Sequence, residues 1–152
     1  MSLLRELYQE VIVDHSRHPR HFGTLENPTH HAEGYNPLCG DRLSLSLNIK
    51  GDMIESIAFQ GVGCAISTAS ASLLTEFLEG KTVTEAESLF GRFHAALIEG
   101  TEELDLGKLS VLMGVKEFPA RVKCATLAWH TLHAALQNQP LVSTELEGGL
   151  DE

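Results

Sequence analysis

Cysteine is scarce in this chain: only three occur among 152 residues, and no two of them form a Cys-x-x-Cys pair. Zinc fingers and ribbons need such closely spaced pairs, so a metal framework of that kind is excluded. The odd number of single cysteines, in a chain without a signal-peptide pattern, also argues against a disulfide framework. These features predict a reducing compartment and therefore a cytoplasmic location.

Long apolar runs and an excess of basic residues are missing as well. No stretch approaches the roughly 20 apolar residues that a membrane-spanning helix needs. The 11 Lys and Arg residues are outnumbered by 21 Asp and Glu residues, which gives a net charge of -10. Because nucleic-acid binding depends on a basic surface, neither a membrane nor nucleic acid is an expected partner.

The overall composition, with 43% hydrophobic and 21% charged residues, is typical of one globular domain. A chain of 152 residues is long enough to bury a substantial core. We predict a single domain over residues 1–140. Residues 141–152 are acidic and contain glycine, and we expect them to form a flexible C-terminal tail.

The spacing of apolar residues changes along the chain from a helical period to a strand period and back. Leu43, Leu45 and Leu47 alternate with polar residues, which predicts a half-buried strand. Residues 51–52 suit a turn into a returning strand that closes near residue 61, and a short strand is expected at 32–38. The pattern predicts an α+β domain in which a small antiparallel sheet of about three strands packs against N-terminal and C-terminal helices. Helices are expected at about residues 3–15, 64–78, 82–97, 106–113 and 120–137.

Each cysteine lies beside a feature that favours a thiolate, although a lone cysteine more often packs as a small hydrophobe. Gly40 lets the side chains of Cys39 and Asp41 turn toward one point. Cys64 follows a glycine-rich segment and Cys124 a basic one, and each of these segments leads into a helical pattern. Three thiolates and one carboxylate are the number of ligands that a tetrahedral zinc site requires. The spacing alone leaves a shared metal site and separately packed thiols as alternatives.

Four stretches of the chain carry recognisable motifs. Residues 15–23 read HSRHPRHFG, 36–41 read NPLCGD, 61–67 read GVGCAIS and 118–129 read FPARVKCATLAW. Together they resemble the U-type iron–sulfur cluster assembly scaffolds, and within them the SufU branch. The likeness covers about residues 4–136, with His21 where the family commonly has asparagine.

Three departures separate the chain from the IscU branch of that family. Lys123 precedes the third cysteine, where IscU proteins usually have a histidine that can serve as a ligand. The segment 118–123 replaces the LPPVK stretch that IscU proteins offer to a chaperone. Residues 90–110 look like the insertion that marks SufU proteins. All three differences point to the SufU branch.

The resemblance implies a zinc-dependent sulfurtransferase that accepts persulfide sulfur from a SufS-type cysteine desulfurase. The sulfur would pass to downstream iron–sulfur assembly proteins. Cys39, Asp41, Cys64 and Cys124 would bind the zinc ion. We expect Cys39 to be the ligand that leaves and accepts sulfur, because Gly40 gives its loop freedom. Arg121, whose charge is permanent, would steady the departing thiolate or a nearby carboxylate.

Two other classes of protein stay open. By softness alone the same thiolates serve iron as well as zinc, so the alternative is a scaffold that assembles a transient iron–sulfur cluster. Lys123 favours sulfur transfer, because a protonated lysine offers no lone pair to a metal. In the third class a structural zinc ion merely holds the fold, and a closed site of that kind would not need Asp41.

Overall fold

The computed structural model describes residues 3–99, 107–115, 118–139 and 141–143, and within these ranges it gives four α-helices and four strands. A π-helical turn at Ala95–Glu99 and a 3-10 helix at Gly107–Val115 complete the elements. None of the helices in the described part of the chain is both long and apolar enough to cross a membrane. The helices and strands are α1 (Leu3–Arg17), β1 (His30–Asn36), β2 (Asp41–Lys50), β3 (Met53–Val62), α2 (Ala65–Leu78), α3 (Val83–His94), α4 (Pro119–Leu136) and β4 (Leu141–Ser143).

The four strands form one mixed sheet in the order β3-β2-β1-β4. The first three pair antiparallel, as the sequence predicts, whereas β4 pairs parallel with β1. The α+β prediction is therefore confirmed, with one further strand at the edge of the sheet. Three residues are too few to show a strand period, so β4 had no signal of its own. It lies inside the segment assigned to the tail, and residues 144–152 of that segment lie outside the described part.

One face of the sheet packs against α2 and α4 and forms the core. The alternation in β2 turns Leu43, Leu45 and Leu47 inward, and all three are buried. Full burial of such a side chain contributes about 1.5–3 kcal/mol to folding. Trp129 of α4 lies in the same core, stacked at 4.7 Å on the ring of Phe93. The core therefore fixes α4 against the sheet, which matters for the position of Cys124.

A glycine in β1 allows α4 to lie close to the sheet. A Cβ atom placed on Gly34 would collide with the Thr131 hydroxyl oxygen and with Leu127, both in α4. Any larger residue at this crossing would force the Thr131 and Leu127 side chains to shift. The close approach brings the first turns of α4 toward the end of β1, where the turn into β2 begins.

The helix signals in the sequence correspond to real helix boundaries. Thr82 and Glu85 form the expected capping box at the start of α3, with side-chain to backbone hydrogen bonds of 3.1 and 2.9 Å. The helix expected over 82–97 is α-helical to His94 and continues as the π-helical turn. The helix expected at 106–113 is a 3-10 helix over Gly107–Val115, and residues 100–106 lie outside the described part.

Candidate metal centre

Cys39 and Asp41 lie close together where β1 turns into β2, but they differ in exposure to solvent. Asn36 and Asp41 are register partners at the end of the two strands, and residues 37–40 connect them. The Cys39 N–H donates to the Asn36 carbonyl at 3.2 Å, and Gly40 has a φ of 75°, a conformation that favours glycine. Cys39 is exposed, whereas Asp41 is the first residue of β2 and is only 2% exposed.

The Asp41 carboxylate is fixed by hydrogen bonds from two other elements. Its Oδ1 accepts the backbone N–H of Cys64 at 3.0 Å, and its Oδ2 accepts the Asn36 side-chain amide at 3.2 Å. A Cβ on Gly63 would lie 2.6 Å from Oδ1, so only a glycine leaves room for the carboxylate. These bonds offset the cost of burying a charged group.

Cys124 comes from the second turn of α4 and is buried. Its thiol donates to the Cys39 sulfur at 3.4 Å, and the Asn36 amide donates to its sulfur at 3.6 Å. Burial first, and then hydrogen bonds with Cys39, Cys64 and Asp41, raise the pKa of the Cys124 thiol above its usual value. A metal ion that coordinated this sulfur would stabilise the thiolate and so favour release of the proton to water.

The ligand atoms of Cys39, Asp41 and Cys124 all lie within 4.8 Å of one another. In a tetrahedral zinc site with Zn–S bonds of about 2.3 Å, two sulfur ligands are about 3.8 Å apart. The 3.4 Å between the sulfurs of Cys39 and Cys124 is close to that value. The three side chains thus form a cluster of the right chemistry and size for a metal ion such as zinc.

Cys64 borders this cluster, but its sulfur is not one of the three grouped ligand atoms. It is the N-cap residue of α2, at the predicted helix start, and its sulfur accepts the Ser67 N–H at 3.4 Å. Its thiol is nevertheless close enough to Cys124 to raise the pKa of that thiol. The structure therefore brings three of the four predicted ligands together and places the fourth beside them.

Arg121 lies in the first turn of α4, three residues before Cys124 and so on the same face of the helix. Its guanidinium carbon lies 5.5 Å from the centroid of the exposed Phe118 ring. This contact holds a permanent positive charge at the end of α4 nearest the cluster. The expected action of Arg121 on a departing thiolate stays a prediction.

Asn36 is the residue of this centre that the sequence analysis missed. It is fully buried and donates to both Asp41 and Cys124. Asn36 is the first residue of the NPLCGD motif, but the neighbouring sequence does not show which side chains accept hydrogen bonds from its amide. The register of β1 on β2 and the crossing of α4 decide that.

Comparisons with known proteins give the same family as the four sequence motifs. The family model of the NifU-like N terminal domain matches residues 7–142. The zinc-dependent sulfurtransferase SufU of Bacillus subtilis is 40% identical over 139 residues, covering 90% of this chain and 93% of that protein. The iron–sulfur cluster assembly scaffold protein IscU of Streptococcus pyogenes is 42% identical over 140 residues, covering 90% of this chain and 87% of that protein.

The fold has a close counterpart among solved structures. A crystal structure from Fervidobacterium islandicum AW-1, described as an iron–sulfur cluster assembly scaffold protein for the SUF system, superposes with a TM-score of 0.81. The two chains are 37% identical, and the match covers 87% of this chain and 98% of that one. From the motifs, the site and the family match together, the chain belongs to the NifU-like N terminal domain family, that of the SufU and IscU proteins of iron–sulfur cluster assembly.

Proposed function

We propose that this protein is a cytoplasmic, zinc-dependent sulfur-transfer protein of iron–sulfur cluster assembly. Its sulfur donor is the persulfide of a SufS-type cysteine desulfurase, and its acceptors are downstream assembly proteins. The observation that carries the proposal is the pairing of an exposed thiol, Cys39, with a buried one, Cys124, at 3.4 Å. An exposed sulfur is accessible to a partner, while the buried one stays in place.

The zinc ion would be held by Cys39, Asp41 and Cys124, with Cys64 as the fourth ligand. Cys64 would offer its sulfur from the N-cap of α2, where that sulfur accepts the Ser67 N–H at 3.4 Å. When bound, zinc keeps cysteine side chains deprotonated at neutral pH. Asp41 and Cys124 are both buried and hydrogen-bonded, so they are suited to hold their positions while Cys39 moves.

The transfer step needs only the Cys39 thiolate and the donor. The Cys39 sulfur attacks the terminal sulfur of the desulfurase persulfide, and a new S–S bond forms as the donor's S–S bond breaks. The desulfurase cysteine leaves as a thiolate, and Cys39 carries the persulfide. No external oxidant or reductant is consumed. The loop at residues 37–40, with Gly40 as its flexible point, allows Cys39 to reach the donor.

The relatives leave a second function open, because the IscU scaffold is as similar to this chain as the SufU sulfurtransferase. Lys123, directly before Cys124, supports transfer over cluster assembly. A lysine at this position does not supply the further nitrogen ligand that histidine offers to iron. The two functions differ in whether sulfur from the donor becomes covalently bound to this chain.

Sulfur labelling separates the two functions. The zinc-loaded protein is incubated with a SufS-type desulfurase and isotopically labelled cysteine, and the protein is then examined for bound sulfur under non-reducing conditions. We expect the label on this chain without added iron. A chain that gains no label, but forms a stable cluster once iron and sulfide are present, would instead be a scaffold.

A further inference from the structure

The two paired thiols differ in more than exposure, because only one of them receives a hydrogen bond from an amide. The Asn36 side-chain nitrogen lies 3.6 Å from the Cys124 sulfur and 3.2 Å from Asp41 Oδ2. Among the residues that the structure describes, no N–H group donates to the Cys39 sulfur; its side-chain hydrogen bond comes from the Cys124 thiol. The Asn36 side chain thus donates a hydrogen bond to the Cys124 sulfur but not to the Cys39 sulfur.

The amide of Asn36 is chemically suited to support ligands without becoming one. A primary amide nitrogen donates two protons, so one can point to the carboxylate and the other to the sulfur. Its lone pair is delocalised into the carbonyl, so it does not compete for a metal ion. The residue is fully buried, so bulk solvent does not compete for either bond.

The backbone of Asn36 also contacts the third member of the cluster. Its carbonyl accepts the Cys39 N–H at 3.2 Å, which closes the turn at residues 37–40. One residue therefore contacts Asp41 and Cys124 through its side chain and Cys39 through its backbone. The side-chain contacts restrain the side chains of two ligands, whereas the backbone contact places no restraint on the Cys39 side chain.

We propose that Asn36 is the positioning residue that makes Cys124 the anchoring thiolate and leaves Cys39 as the reactive one. The inference rests on the proposed function in assuming that these thiols bind a metal ion. An N–H···S hydrogen bond withdraws electron density from a thiolate and lowers its nucleophilicity. The hydrogen bond lowers the nucleophilicity of the Cys124 thiolate, whereas the Cys39 thiolate keeps its own. Groups that support ligands from outside the coordination sphere typically change metal affinity about 10- to 100-fold.

The test replaces Asn36 by leucine, which has nearly the same shape but no donor. Asn48→Leu is the matched control, because Asn48 donates to Ser56 on the sheet but has no contact with the cluster. Each variant is loaded with Co²⁺, whose sulfur-to-metal charge-transfer band reports on the electron density of the thiolates. Zinc release to a chelator and the distribution of iodoacetamide between Cys39 and Cys124, by peptide mass spectrometry, are measured in parallel.

In Asn36→Leu we expect the charge-transfer band to move to longer wavelength, and zinc affinity to fall about 10- to 100-fold. The share of alkylation on Cys124 should rise severalfold, while Asn48→Leu matches the unsubstituted protein. A folded variant with an unchanged band and unchanged alkylation pattern overturns the inference, even if its melting temperature falls. If leucine prevents folding, Asn36→Ala is judged by the same two readouts.

These readouts do not depend on the desulfurase. If the unsubstituted protein binds Co²⁺ through its thiolates but takes up no sulfur, the proposed function fails and the role of Asn36 is still decided. If it shows no thiolate charge-transfer band at all, the metal centre itself is refuted and the inference falls with it.

Discussion

The Cys124 thiol donates a hydrogen bond to the Cys39 sulfur at 3.4 Å, although the two residues are far apart in the sequence and differ in exposure. One sulfur is held in the core by α4, and the other lies on an exposed turn. A metal ion bound between them would join a buried helix residue to an exposed turn.

The purified protein should contain about one zinc ion per chain, because three thiolates and one carboxylate fill a tetrahedron. Replacement of Cys124 or Asp41 by alanine should lower zinc content the most, because these buried ligands have the most restrained positions. Atomic absorption on protein purified without chelators measures the ratio. Full zinc content in a chain lacking both Cys64 and Cys124 would show that the metal lies elsewhere.

Removal of zinc should destabilise the fold. A metal that binds only the folded chain stabilises it by mass action, about 4 kcal/mol at 1,000 times its dissociation constant. For a domain of this size the melting temperature should therefore fall by about 10 °C after chelation. Calorimetry before and after verified zinc removal, with zinc added back as the control, gives the result. An unchanged melting temperature would mean that the metal adds nothing to folding.

Gly63→Ala should weaken metal binding without disrupting the core. The added Cβ would lie 2.6 Å from Asp41 Oδ1 and 3.2 Å from its Cγ, so the carboxylate must move. We expect about a tenfold or greater loss of zinc affinity, measured by competition with a chelator. Gly91→Ala on α3 is the matched control, since a Cβ there meets open space. Equal zinc affinity in both variants would show that the Asp41 position is unimportant.

His130 should make the protein less stable in acid. Burial first, and then the nearby charges of His94 and His133, lower the pKa of His130 from its ordinary value of 6.5 to about 4. The unfolded chain therefore binds this proton more readily than the folded one, and stability is lost as the pH falls from 6.5 toward 4. The loss amounts to about 3 kcal/mol below that range.

Urea denaturation at pH 7, 5.5 and 4.5 measures this effect in the unsubstituted protein and in His130→Gln. The variant should lose less stability between the first and last pH. His18→Gln removes an exposed histidine and serves as the control. Some acid sensitivity should remain in every variant, because burial also lowers the pKa of His15. A slope that is the same with and without His130 would refute the assignment.

Local patterns were enough to predict the three antiparallel strands and most helix ends. The alternation in β2 reflects burial on one face only, and the Thr82–Glu85 capping box is a contact between near neighbours. β4 escaped prediction because its three residues depend on pairing with β1. Within the site, Cys39 and Asp41 were recognisable as neighbours on one turn.

Cys124 lies next to the turn between β1 and β2 because of tertiary packing. It depends on the crossing of α4 over β1, where Gly34 makes space for Thr131. Asn36 gained its partners through the same crossing and through its pairing with Asp41 across the two strands. Neither long-range contact leaves a periodic trace in the sequence, so the motifs indicated the candidate ligands but not the contacts that Asn36 makes with them.

The central claim is that Cys39 accepts sulfur while Cys124 anchors the metal. The most direct measurement is peptide mass spectrometry of the unsubstituted, zinc-loaded protein after a brief reaction with the desulfurase and cysteine. The account predicts one added sulfur atom on the peptide that contains Cys39, and none in the Cys39→Ser variant, because serine supplies too little anion for the attack. Added sulfur on the peptide that contains Cys124 would contradict it.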